Sequence, residues 1–209
     1  MRRSRKLLVV GVLLFAAPVH ADRGALSLDL GTGAAGLSLA APYASSGGNM
    51  FAADFEVMLG LRYAVTNEFE LTFAGFYETP ATYTHADVSV LLPDSDRPFT
   101  GNLSHSLYLF GVVGGVRYVN GSVWKLVVGL EAGWSHRSYS GFQATGSLAI
   151  VPLHHFVTDN TVFQPLLGVE WAFADHWSAS LLPRFSVLIG PDSTIGVSLM
   201  LSISYSWFL

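Results

Sequence analysis

The chain has no cysteine and little charge. Asp, Glu, Lys and Arg together make up 12% of its 209 residues, about half the share usual in soluble domains. The missing cysteine excludes a disulfide framework, a thiolate metal site and a thiol nucleophile. It does not fix a compartment, although it suits export through an oxidising space. Past the first two dozen residues there is also no apolar run long enough for a spanning helix, which needs about 20 residues. Stretches such as Leu107 to Val116 are soon broken by glycine or polar residues. Yet 51% of the residues are hydrophobic. A membrane composition without a membrane helix leaves the closed β-barrel, the other structure that satisfies every backbone N–H and C=O in lipid. The length suits one domain.

The first residues, MRRSRKLLVVGVLLFAAPVHA, carry the marks of a signal peptide. Arg2, Arg3, Arg5 and Lys6 form a positive region, and Leu7 to Ala17 an apolar one too short to span. Val19 and Ala21 supply small residues for cleavage after Ala21. The expected division is therefore a signal peptide over 1–21 and a barrel domain over 22–209. Without the leader, seven basic residues stand against 15 acidic ones. That balance argues against nucleic acid as a partner.

The remainder alternates with period two, which is a strand signal. Phe55, Val57, Leu59, Leu61 and Tyr63 share one face, with Glu56, Met58, Gly60 and Arg62 on the other. The same holds for Leu26 to Leu30, Phe69 to Glu78 and Trp124 to Trp134. It is cleanest from Ile195 to Leu209, where Ser198, Ser202, Ser204 and Ser206 lie opposite the apolar side chains. Tyr108–Tyr118, Phe163–Phe173 and Trp177–Leu188 are less regular and bring the count to roughly eight strands. The connections alternate in length. Thr66–Glu68, Asn120–Gly121 and Ala174–His176 read as tight turns. Ala34–Met50, Thr79–Ser104 and Arg137–Asn160 read as long loops, and Gly190–Ser193 as a short fourth outer one. Aromatic residues flank the tight turns: Tyr63 and Phe69, Tyr118 and Trp124, Trp171, Phe173 and Trp177. Amphipathic rings belong at a membrane–water boundary.

These features, with the ending SLMLSISYSWFL, resemble small outer-membrane barrels of the OmpA and OmpX type. The resemblance covers the whole mature chain and is one of architecture. It implies an all-β fold, a single closed antiparallel transmembrane barrel with short periplasmic turns and long extracellular loops. It also implies an outer-membrane location, contact with outer-membrane lipid and lipopolysaccharide, and insertion by the barrel assembly machinery. Such barrels usually end in Phe; here Leu209 is last and Phe208 has lumen parity.

Parity assigns a lumen charge network of Asp29, Glu56, Arg62, Glu70, Arg117, Lys125, Glu131, Glu170 and Arg184. With both signs present, buried pairs are expected, because an unpaired buried charge is costly. Arg62 and Arg117 are expected to pair with Glu70 and Glu170. Phe76, Leu107, Leu109, Val113 and Leu166 also point inward and could line a pocket for a small hydrophobic ligand. Pro165 and Pro183 fall on neighbouring strands, where each removes a ladder donor. They should bulge or open the wall, as strand prolines do in the lipid A palmitoyltransferase barrels that this feature resembles. His85, His105, His136, His154 and His155 gather toward the outer loops, and His136-Arg-Ser138 resembles the H-x-S of outer-membrane lipid A deacylases. Adjacent His154 and His155 would face opposite ways on a strand, so no metal site is expected, and no cofactor. The leading expectation is a non-enzymatic outer-membrane protein with a structural or surface-contact role. The alternatives are a binding or transport barrel for small hydrophobic molecules and a lipid A-modifying enzyme.

Overall fold

The computed structural model describes residues 23–39, 44–46, 50–91, 98–145, 150–152, 155–191 and 193–208. The expected signal peptide, His154 and Leu209 lie outside them. The elements are all strands: β1 (Ala25–Leu39), β2 (Ala44–Ser46), β3 (Met50–Ala64), β4 (Phe69–Leu91), β5 (Pro98–Gly121), β6 (Trp124–Thr145), β7 (Ile150–Pro152), β8 (Phe156–Ala174), β9 (Trp177–Ile189) and β10 (Thr194–Phe208). The eight long ones pair antiparallel in the order β4-β3-β1-β10-β9-β8-β6-β5, and β4 pairs with β5 to close the ring. Closure removes the sheet edge that lipid would not tolerate.

Burial follows the period-two pattern. Leu59, Leu130 and Leu201 are 58%, 52% and 55% exposed on the outer face, whereas Met58, Glu131 and Met200 are buried. The aromatic residues beside the tight turns meet across the strands: Phe69 with Tyr118 at 5.3 Å, Trp124 with Trp171 at 5.7 Å and Trp177 with Tyr205 at 4.9 Å between ring centroids. In the first turn the Thr66 hydroxyl accepts the amides of Glu68 and Phe69, the local side-chain bonding that turns favour. The second turn is displaced from expectation. Asn120 and Gly121 still belong to β5, Gly121 with φ +129°, and Ser122–Val123 make the turn.

The main difference from the sequence reading is the length of the strands. Most of Thr79–Ser104 and much of Arg137–Asn160 are ladder, not loop. β4 and β5 stay paired as far as Leu91 and Pro98, and β5 and β6 as far as Asn102 and Thr145. Thr82, Tyr83, Thr84, Val88 and Val90 are strand-formers. Their outer face is polar because it leaves the apolar band, so the alternation that marks a lipid-facing strand fades while the strand continues. β3 reaches only to Glu78 on β4. Beyond that level β4, β5 and β6 form a free-standing wall, extended by β2 on the β4 edge and β7 on the β6 edge. The opposite side of the ring ends low, in the short turn at Gly190–Ser193.

Candidate functional site

The lumen is filled from bottom to top. All nine residues assigned to the charge network are buried, none more than 5% exposed. At the periplasmic end Arg62 is the hub. Its Nε donates to Asp29 at 3.0 Å, and its Nη1 donates to Glu70 at 3.0 Å and Glu170 at 2.8 Å. Lys125 Nζ reaches the other Glu170 oxygen at 3.3 Å. Arg117 differs from expectation. It donates to Glu131 at 2.8 Å, not to Glu170, whose oxygens are already taken by Arg62 and Lys125. Thr72 adds a hydroxyl donor to Glu131. Higher up, Arg184 stands within 3.8 Å of Glu56 and 3.9 Å of Glu131, and donates to Met58 Sδ at 2.8 Å.

The five side chains expected to line a ligand pocket are packed against one another. Phe76, Leu107, Leu109, Val113 and Leu166 are 1–6% exposed and belong to one apolar cluster with Met58, Leu182 and Met200. Side chains so covered leave next to no room for water between them, so they form a core and not a chamber. Glycines admit the large side chains: a Cβ on Gly111 would stand 2.6 Å from the Phe76 ring. Above this core lies an aromatic layer. His85 and His105 stack at 5.1 Å, His105 meets Tyr139 at 5.5 Å, and Tyr139 stacks on Phe156 at 4.5 Å. Arg137 donates to the Tyr139 hydroxyl at 3.0 Å. These two histidines and Arg137, assigned to outer loops by sequence, are inward-facing lumen residues, because the strands that carry them continue upward.

The prolines interrupt one seam without bending it. β8 and β9 hold a single register from Thr161–Ile189 to Ala172–Ser178. Within it, Gln164, Pro165, Leu167 and Gly168 lack ladder pairing, while Leu166 keeps its pairing with Arg184. A donor at 165 would reach the Phe185 carbonyl, and one at 183 the Leu167 carbonyl. Every absent step is one that needs either donor. No bulge occurs at this place, because both prolines face the same seam and the intact step between them holds the register. Their outer sides, Pro165 on Leu130 and Pro183 on Leu199, remain paired. Pro165 lies mid-strand, not near the outer end of β8. Outside the seam is a recess of about 430 Å³ lined by Pro165, Leu167, Pro183, Phe185 and Val197. Inside it, the Gln164 amide donates to the Ser186 hydroxyl at 2.9 Å.

On the outer face, β6 and β8 carry two further polar pairs. Ser138 Oγ lies 2.8 Å from His155 Nε2, and His136 Nδ1 lies 2.8 Å from Asp159 Oδ1. Sequence reasoning picked out His136 and Ser138 but missed both partners. Neither Asp159 nor His155 lies at a telling spacing; only the β6–β8 register brings them there. Among the described residues no group of three or more His, Asp or Glu is arranged to hold a metal ion.

Residues 35–151, more than half of the chain, match the family model described as a protein of unknown function, DUF3575. The chain belongs to that family. The match runs from the upper part of β1 to β7 and so takes in the tall wall. No curated protein matches the chain in sequence. Among solved structures it is similar to Ail, the attachment invasion locus protein of Yersinia pestis, with 14% identity over 88% of this chain and 99% of that one and a TM-score of 0.52. It is likewise similar to Neisserial surface protein A, with 13% identity, 88% and 99% coverage and a TM-score of 0.55. OprG of Pseudomonas aeruginosa gives 10% identity, 91% and 100% coverage and a TM-score of 0.54. At these identities the likeness is one of fold, the eight-stranded outer-membrane barrel.

Proposed function

We propose that this protein resides in the bacterial outer membrane as a plugged barrel. In this reading its lumen serves stability and its tall wall of β4, β5 and β6 meets partners outside the cell. The observation that carries this reading is the filled lumen, with ion pairs below, an apolar core in the middle and stacked rings above. A solute path would need that packing removed. The wall, in contrast, adds 13 paired or bulged positions to β4 beyond Glu78, roughly 40 Å of strand. Outer-membrane lipid, lipopolysaccharide and the barrel assembly machinery are the partners such a life history requires.

Charge narrows the outside partner. Between Thr79 and Ser104 the acids Asp87, Asp94 and Asp96 face a single arginine, Arg97. Ail has been crystallised with the heparin analogue sucrose octasulfate, but a sulfated polyanion is a poor electrostatic match for this acidic hairpin. A neutral or basic surface fits better. The test is adhesion of cells that display the protein to immobilised neutral, basic and sulfated surfaces. Replacing residues 84–104 by a short turn should abolish binding to the first two and leave the barrel heat-modifiable on gels. Unchanged adhesion by the trimmed barrel would overturn the contact reading.

A further inference from the structure

Trp134, His136 and Ser138 occupy successive outward positions on β6. Trp134 is 10 residues above Trp124 and Ser138 is 14. At roughly 3.3 Å per residue and a strand tilt of about 40°, Trp134 stands about 25 Å above the lower aromatic girdle and Ser138 about 10 Å higher. Twenty-five ångströms is about the height of the apolar band of such barrels. The two polar pairs therefore sit where the acyl chains of the outer leaflet join their headgroups. Phe110 and Trp134 pack against the His136 ring at 5.0 and 6.0 Å, which gives the patch an apolar floor.

The hydrogen bonds at this level are those of acyl-transfer chemistry. A serine hydroxyl becomes a useful nucleophile when an imidazole nitrogen within hydrogen-bond reach can take its proton. Ser138 Oγ and His155 Nε2 satisfy that distance at 2.8 Å. One register step below, Asp159 holds His136 through Nδ1 at 2.8 Å and so fixes its ring on the outer face. The Asp159 side chain is 61% exposed and that of His136 is 22% exposed, so this pair is open to a ligand arriving along the wall. Ser138 is 1% exposed because His155 covers it. An ester that lifts the edge of that imidazole meets the hydroxyl beneath.

We propose that Ser138 is the nucleophile of an ester-hydrolase site on the outer wall, with long-chain carboxylic esters of outer-leaflet lipids and water as its substrates. Ser138 Oγ bonds to the ester carbonyl carbon and its proton passes to His155. The C–O bond to the alcohol breaks, and the alcohol leaves with that proton. Water then adds to the acyl-serine and gives a proton to His155. The carboxylic acid departs as Ser138 recovers its hydrogen. His136, positioned by Asp159, is the donor offered to the tetrahedral oxyanion. The site is independent of the lumen and goes beyond the surface-contact reading.

The experiment uses the folded barrel in phospholipid–detergent micelles, with a fluorophosphonate probe and a medium-chain p-nitrophenyl ester. Wild type should be labelled at Ser138 and hydrolyse the ester. Ser138→Ala should abolish labelling, and both Ser138→Ala and His155→Gln should lower the rate by about 100-fold or more. Asp159→Asn should lower kcat more than it changes KM and move the pH profile of hydrolysis. Ser140→Ala, two residues further along β6, should match wild type. Heat-modifiable migration confirms folding for each variant. A wild-type barrel that takes no label, or a folded Ser138→Ala variant that hydrolyses as wild type does, would overturn the proposal and leave the Ser138–His155 bond as a strap that ties the β7–β8 connection to β6.

Discussion

Arg62 Nη1 and Glu170 Oε2 meet at 2.8 Å from opposite sides of the barrel. β3 and β8 are four staves apart in either direction round the ring of eight, so this contact spans the lumen. The same guanidinium holds Asp29 on β1 and Glu70 on β4. One side chain thus ties four strands together, and Lys125 joins a fifth through Glu170.

Arg62→Met should therefore be more damaging than its size suggests. It strands three buried carboxylates and should lower stability by about 3–5 kcal/mol. Adding Glu170→Gln should recover part of the loss, because one of those carboxylates disappears. A double-mutant cycle from urea unfolding in micelles checks this; strictly additive losses would mean the cross-lumen contact does not couple the staves.

The lipid face should be sensitive to charge in a depth-dependent way. Leu130→Arg and Leu201→Arg place a cation among outward-facing side chains in the apolar band and should each cost about 2–4 kcal/mol. Ala86→Arg, at an exposed position high on the β4 wall, should change stability by less than about 0.5 kcal/mol. Equal losses at the two levels would contradict the placement of the band.

Much of this was legible in the sequence, and the reasons are local. Period-two alternation makes Leu59 lipid-facing and Met58 lumen-facing without reference to any other strand. The aromatic residues beside tight turns fix which end is which. What stayed hidden depends on register or on environment. The Arg117–Glu131 pairing arises because Arg62 and Lys125 already occupy Glu170, a competition among four strands. His85 and His105 were assigned to loops because the outer face of β4 and β5 turns polar above the membrane, which erases the contrast that marks a strand. Asp159 meets His136 only through the pairing of β6 with β8.

The proline seam is a built-in weak line. Pro165→Val with Pro183→Val should restore two ladder donors across β8 and β9. Each is worth about 0.5–1.5 kcal/mol, and the double variant should show slower amide exchange at Leu167 and Gly168. No gain in stability would mean that the interrupted steps are held apart by something other than the missing donors.

Gly111 makes room for Phe76. An added Cβ would also come within 2.5 Å of the Trp134 carbonyl oxygen, so Gly111→Ala should destabilise by about 1–3 kcal/mol. Phe76→Leu in the same chain should relieve the part due to the ring. Thermal unfolding of the single and double variants separates the two contributions, and a neutral Gly111→Ala would show that the wall can yield there.

Closure of the lumen is tested most directly by single-channel recording in planar bilayers. Wild type, reconstituted as a heat-modifiable barrel, should give no steady conductance steps, because the ion pairs at the floor and the packed core leave no water column. Steady ohmic steps from the wild-type barrel would contradict a plugged lumen.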